Sequence, residues 1–133
     1  MRNDNPRMNA RVNFPTNQPK KILLTSKDWD KELNFFKDND IQIYKNKDLA
    51  QIIKSFKDQD FCSILIEAGP KLANSFLELG LVDEIISYTS NNELGDKAVS
   101  WFKENNAIEN YGFKLESSYK IESDIKEVFK KNG

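Results

Sequence analysis

Residues 62–88 constrain this chain more than any other stretch. Cys62-Ser63-Ile64-Leu65-Ile66 is apolar without alternation, the pattern of a strand covered on both faces in a parallel sheet. Glu67-Ala68-Gly69-Pro70 follows. Pro70 suits the first turn of a helix, where a missing N–H costs nothing. Leu72, Ala73, Phe76, Leu77 and Leu79 then recur at helical spacing up to Gly80, a natural helix terminator. Leu81-Val82-Asp83 leads into a second apolar run, Glu84-Ile85-Ile86-Ser87-Tyr88. Strand, glycine turn, helix, strand is the grammar of an α/β sheet with crossovers.

The flanks extend it. Lys21-Ile22-Leu23-Leu24-Thr25 reads as a strand. Trp29, Leu33 and Phe36 predict a helix over 28–38. Ile41-Gln42-Ile43-Tyr44 alternates and predicts a second strand. Asp48 is a candidate N-cap for a helix over 48–57, with Leu49, Ile52, Ile53 and Phe56 on one face. A short helix is expected over 97–103. Two strands, 113–119 and 125–129, are expected to form a hairpin around Glu122-Ser123-Asp124. Residues 1–20 hold three of the four prolines and read as loop, with at most a short strand over 10–13. The expected class is α/β, a mostly parallel sheet flanked by helices with a C-terminal antiparallel hairpin. Residues 1–133 form a single domain in this reading.

Composition excludes several functions. Hydrophobic residues are 38% and charged residues 31%, the balance of a globular chain and not of a disordered one. The formal net charge of -1 offers no field for nucleic acid or an anionic membrane. There is no histidine and one cysteine, Cys62. An internal disulfide, a Cys/His zinc site and a His-based triad are therefore ruled out. Inside its apolar run, Cys62 is expected to be a buried small hydrophobe. No stretch approaches the roughly 20 apolar residues of a membrane helix, and the N-terminus lacks the apolar core of a signal peptide. The cytoplasm is the expected location.

Two segments carry chemistry. At 64–76, a strand delivers Glu67 beside a glycine turn that opens a helix. Ligands of open α/β sheets bind at the carboxyl ends of strands, and the free N–H groups of a helix start favour a phosphate. Gly69 lets a ligand approach the backbone. The same pattern also serves as a merely tight connection. The second segment, Asp4-Asn5-Pro6-Arg7-Met8-Asn9-Ala10-Arg11, is a polar turn by itself. Arg11 has the fork geometry that grips a phosphate, as do many surface arginines that never bind one.

Ile64-Leu65-Ile66-Glu67-Ala68-Gly69-Pro70-Lys71-Leu72-Ala73, then Ser75-Phe76-Leu77 and Gly80-Leu81-Val82-Asp83-Glu84, resembles the reductase domain of bifunctional riboflavin-biosynthesis deaminase/reductases. That family's block is roughly V-E-G-G/A-P-x-L-A-x-S-F-L…G-L-V-D-E. The segment 4–11 is similar to its D-D/N-P-x-L-x-x-R motif. Leu94-Gly95 and Glu122-Ser123-Asp124-Ile125 stand where the family has L-L-G and G-D-D-L. The resemblance spans nearly the whole chain.

It implies a dihydrofolate-reductase-like fold and NADPH-dependent reduction of 5-amino-6-(5-phosphoribosylamino)uracil to the ribitylamino product. It also implies a cofactor site at Asp4, Gly69, Pro70, Lys71, Leu72, Ala73, Asn74 and Ser75. Met8, Arg11 and Glu67 would contact the substrate, and a homodimer would form through this domain. No proton donor is implied. Against the family pattern, an upstream strand and helix, a V-V-L-D-x-x-L-R-x-P strand after Arg11, and the zinc deaminase half are missing, so the chain is expected to be N-terminally truncated. Two other functions fit the same residues. One is a catalytically inactive dimerisation or interaction module. The other is a related NADPH reductase of another heterocycle.

Overall fold

The structure is a computed structural model and describes residues 5–37, 41–45, 48–101 and 107–131. The chain divides into two compact units, Met1–Gln59 and Asp60–Gly133.

In the first unit, β1 (Lys21–Leu24) and β2 (Ile41–Tyr44) form a parallel pair, in register from Lys21 opposite Ile41 to Leu24 opposite Tyr44. The Thr25 N–H extends the ladder to the Tyr44 carbonyl at 3.1 Å. Helix α1 (Leu49–Lys57) has the expected cap: Asp48 Oδ1 accepts from the Gln51 N–H at 3.0 Å. Leu49, Ile52 and Phe56 are its buried face, and Phe56 stands edge-on to Tyr44. The expected helix over 28–38 is not formed. Its described part holds one 3-10 turn, Asn34–Lys37, around the buried Phe35. The reason is local competition by polar side chains. Thr25 Oγ1 accepts from the Lys27 N–H and from Trp29 Nε1, and Asp30 Oδ1 accepts from the Glu32 N–H. Those bonds hold the backbone in short side-chain turns ahead of Asn34. The expected strand over 10–13 is likewise an irregular stretch.

In the second unit, α2 (Pro70–Glu78) starts at Pro70 and stops as expected. Gly80 takes φ +68°, its N–H reaches the Leu77 carbonyl, and the Leu81 N–H reaches the Phe76 carbonyl. This is the paired-bond C-terminus that favours glycine. Strands β3 (Glu84–Thr89), β4 (Phe113–Ile121) and β5 (Asp124–Lys131) form an antiparallel sheet in the order β3-β5-β4. A bulge interrupts β4 between Leu115 and Ser117. Leu77, Ile85, Phe113 and Phe129 make the core, flanked by Val82, Ile108 and Tyr111. The parallel pair, helices and C-terminal hairpin give the expected class, with parallel pairing confined to β1 and β2 among the described residues.

Three expectations for this unit are corrected. Residues 62–66 form no strand, Leu65 is 79% exposed, and Cys62 is exposed instead of buried. An apolar run encodes a wish for cover, but a strand exists only through its ladder. Among the described residues no strand pairs with this segment, since β3 pairs only with β5. Over the described residues 97–101 there is a turn and no helix, closed by the Ala98 N–H on the Gly95 carbonyl. Residues 102 and 103 of that expected helix lie outside the described residues. No described helix is long and apolar enough to cross a membrane.

The hairpin turn carries a testable strain. Glu122 takes φ +53°, where a side chain costs roughly 1 kcal/mol relative to glycine. Glu122→Gly is expected to raise stability by up to about 1 kcal/mol, read from the denaturant midpoint.

Candidate functional site

The mouth of α2 is built from residues 69–75. Gly69 is the N-cap, with φ -68° and ψ 165°, and no side chain caps the helix. That backbone is extended and open to any residue. A Cβ added at Gly69 would meet nothing within 4 Å. Nothing inside the described chain therefore requires glycine here. The Leu72 and Ala73 N–H groups both donate to the Gly69 carbonyl, each at 3.1 Å. Pro70 has no N–H. Among the described residues that leaves the Lys71 N–H without an acceptor in the first turn, beside an exposed Lys71 side chain. The mouth thus holds fewer free amides than a typical helix start. Its affinity for an anion rests on the helix dipole, one N–H and one ammonium.

The other side chains of the turn are at least partly buried. Leu72 and Ala73 are half-buried. Ser75 Oγ donates to the Lys71 carbonyl at 3.0 Å. Asn74 is 3% exposed. Its Nδ2 donates to the Pro70 carbonyl at 2.7 Å and to the Trp101 carbonyl at 3.0 Å. Both partners only accept, so the amide nitrogen must face them. Asn74 Oδ1 is buried without a hydrogen-bond partner among the described residues. Asn74 therefore staples residue 101 to the first turn of α2. Glu67 is exposed in the irregular stretch before Gly69.

The second segment, in the first unit, is a pinned loop. Asn5 and Met8 take φ +42° and +52°, the left-handed region that side chains avoid. Asn5 Oδ1 accepts from the Asn34 N–H at 2.8 Å, and Asn34 Nδ2 donates to the Asn5 carbonyl at 3.1 Å. The buried Lys21 ammonium donates to the Arg7 carbonyl. Gln18 pairs with both main-chain groups of Ala10. Met8 is half-buried and Arg11 is exposed. Asp4 lies outside the described residues.

The structure thus places Met8 and Arg11 in one unit, and Glu67 with Gly69, Pro70, Lys71, Leu72, Ala73, Asn74 and Ser75 in the other. Sequence reasoning missed the pins Gln18, Lys21 and Asn34. Only Lys21 carried a signal, as a charged residue opening an apolar run. The displaced acid–base groups belong to surface ion pairs. A hydrogen bond from Lys45, then its charge, holds the Asp28 carboxyl below its ordinary range, and a bond to Glu116 raises Lys130.

Comparison with known proteins gives these segments a context. The RibD C-terminal domain model matches residues 1–126. The riboflavin biosynthesis protein RibD of Buchnera aphidicola subsp. Baizongia pistaciae is 35% identical over 96 residues, covering 67% of this chain and 25% of that protein. Escherichia coli RibD is 43% identical over 51 residues, 38% of this chain and 14% of that one. The chain therefore spans about a quarter or less of the length of these relatives. Among solved structures, Acinetobacter baumannii RibD (form 2) superposes with a TM-score of 0.83 over 97% of this chain and 44% of that one, at 22% identity. A deaminase/5-amino-6-(5-phosphoribosylamino)uracil reductase from Thermotoga maritima gives 0.79 over 98% and 42%, at 16%. These two likenesses establish the fold expected of the reductase half. The family model's match to nearly the whole chain establishes the rest: the chain belongs to the RibD C-terminal domain family.

Proposed function

We propose that this chain carries the reductase chemistry of riboflavin biosynthesis, the NADPH-dependent conversion of 5-amino-6-(5-phosphoribosylamino)uracil to its ribitylamino product. The observation that carries the reading is Gly69. Its backbone suits any residue and its surroundings would admit a side chain. No described residue calls for glycine there, whereas a bound cofactor at the helix mouth would.

The donor set fits a pyrophosphate: the Lys71 ammonium and N–H at a helix N-terminus. NADPH, when bound, supplies the hydride, and the chain binds and orients. In this reading Gly69, Pro70, Lys71, Leu72, Ala73, Asn74 and Ser75 form the cofactor wall. Asn74 acts from behind, by holding the turn, and Asp4 completes the cofactor contacts. Arg11 pairs with the substrate phosphate through two parallel N–H donors. Met8 packs against the substrate. The Glu67 carboxylate accepts hydrogen bonds from its hydroxyl or amine groups. With no histidine in the chain, the proton comes from a substrate group, water or a carboxylate. The reaction runs in the cytoplasm.

A second reading is favoured by the exposed sheet face. Ile86, Tyr88, Tyr119 and Ile121 share one face of β3-β5-β4 and are 43–65% exposed. In that reading the chain is a homodimerising module in which a second copy covers this face, with or without catalysis.

Fluorescence titration of the purified chain with NADPH separates the two. Gly69→Val is expected to weaken NADPH at least about tenfold, or roughly 1.4 kcal/mol, at unchanged thermal midpoint. Glu67→Gln is expected to leave NADPH affinity unchanged and weaken substrate binding. Gly69→Val with wild-type affinity would overturn the cofactor site. A wild-type chain that binds no NADPH but sediments as a dimer would leave the module reading.

A further inference from the structure

We propose that Gln18 is a positioning residue that holds Arg11 ready for a phosphate monoester. The proposal rests on the reading of Arg11 as the substrate's anion contact. Residues 10–20 belong to no strand or helix. In that irregular stretch, the Ala10 N–H donates to Gln18 Oε1 at 2.9 Å and Gln18 Nε2 donates to the Ala10 carbonyl at 3.3 Å. A primary amide offers a donor and an acceptor side by side, as a peptide group does. The Gln18 side chain therefore serves residue 10 as a neighbouring strand would.

The pins along this segment are spaced in a telling way. Asn5 is held by Asn34, the Arg7 carbonyl by Lys21, and Ala10 by Gln18. The residues between and after them, Met8 and Arg11, are the two assigned to the substrate. Met8 takes a left-handed φ of +52°, which a free loop would relax. The Arg11 guanidinium has no partner among the described residues. A loop clamped at its backbone with its cationic side chain unspent is preorganised for an anion. A loose loop would lose affinity in proportion to the time spent out of register. Gln18 is the pin adjacent to Arg11, and it is exposed, so its loss does not threaten the fold.

The test is ribose 5-phosphate binding, measured calorimetrically on the purified chain and on Gln18→Met, Arg11→Ala and the double variant. Gln18→Met keeps the side-chain length and loses both hydrogen bonds. It is expected to weaken ribose 5-phosphate roughly fivefold, with the thermal midpoint and NADPH affinity unchanged. Arg11→Ala is expected to weaken it more, and adding Gln18→Met to Arg11→Ala to have no further effect, because Gln18 acts through Arg11. If Gln18→Met binds like wild type while Arg11→Ala does not, the positioning role is overturned and the anion site stands. If Arg11→Ala also binds like wild type, or wild type does not bind, the reading of Arg11 falls and the role of Gln18 with it.

Discussion

Asn74→Asp is expected to destabilise the second unit by about 3–5 kcal/mol at neutral pH, the range for leaving a buried charge without compensation. The two residues are nearly the same shape, so packing changes little. The effect lies in the donors. Asn74 Nδ2 serves the Pro70 and Trp101 carbonyls at 2.7 and 3.0 Å. A carboxylate has no donor and would set its lone pairs against both oxygens. Burial and those carbonyls raise the new carboxyl's folded pKa above its unfolded value of about 3.9. A raised folded pKa means stability that is present below the unfolded value and lost as pH climbs through the folded one. The deficit against wild type therefore shrinks towards pH 3 and grows towards pH 7. Asn74→Ala is expected to cost less, about 1–3 kcal/mol, because it removes the donors without adding a charge. Denaturant midpoints of both variants at the two pH values check this. Equal, pH-independent losses would show that the amide does not face the two carbonyls.

Phe113→Ala is expected to cost about 3–5 kcal/mol, the usual range for a buried aromatic. Phe113 is 2% exposed at the start of β4 and packs with Leu77, Ile85 and Phe129. This small core joins α2 to the sheet, and truncation leaves a cavity that its three remaining side chains cannot refill. The loss should appear as a lower denaturant midpoint with an unchanged slope, read by Trp101 fluorescence in a Trp29→Phe background. A loss under about 1 kcal/mol would mean that the core collapses onto the gap, or that the sheet does not depend on it.

These two sites were unequally visible beforehand. Phe113 opens a strand expected from the sequence. Asn74 sits in the cofactor block, where the resemblance assigns it to the ligand. Its side chain also ties down a residue 27 positions away. The same holds for Gln18, which clamps Ala10 eight residues back. Neither bond leaves a trace in spacing or periodicity.

Helices α1 and α2, the glycine stop at Gly80, β1, β2, β3 and the C-terminal hairpin were legible in the amino-acid order. Their determinants lie within a few residues: a capping Asp48, a first-turn Pro70, a left-handed Gly80 and strict apolar spacing. Helical hydrogen bonds close over four residues, so local sequence contains them. Residues 62–66 show the opposite case. Their apolar run asks for a strand, but a ladder needs a second strand, and which strands pair is decided by the folded chain as a whole. Polar side chains of Thr25 and Asp30 likewise overrode a good helical period at 28–38. Sequence alone determined the family and the local elements. Only tertiary structure decided which strands found partners and which side chains hold the site's backbone, because both depend on contacts between residues far apart along the chain.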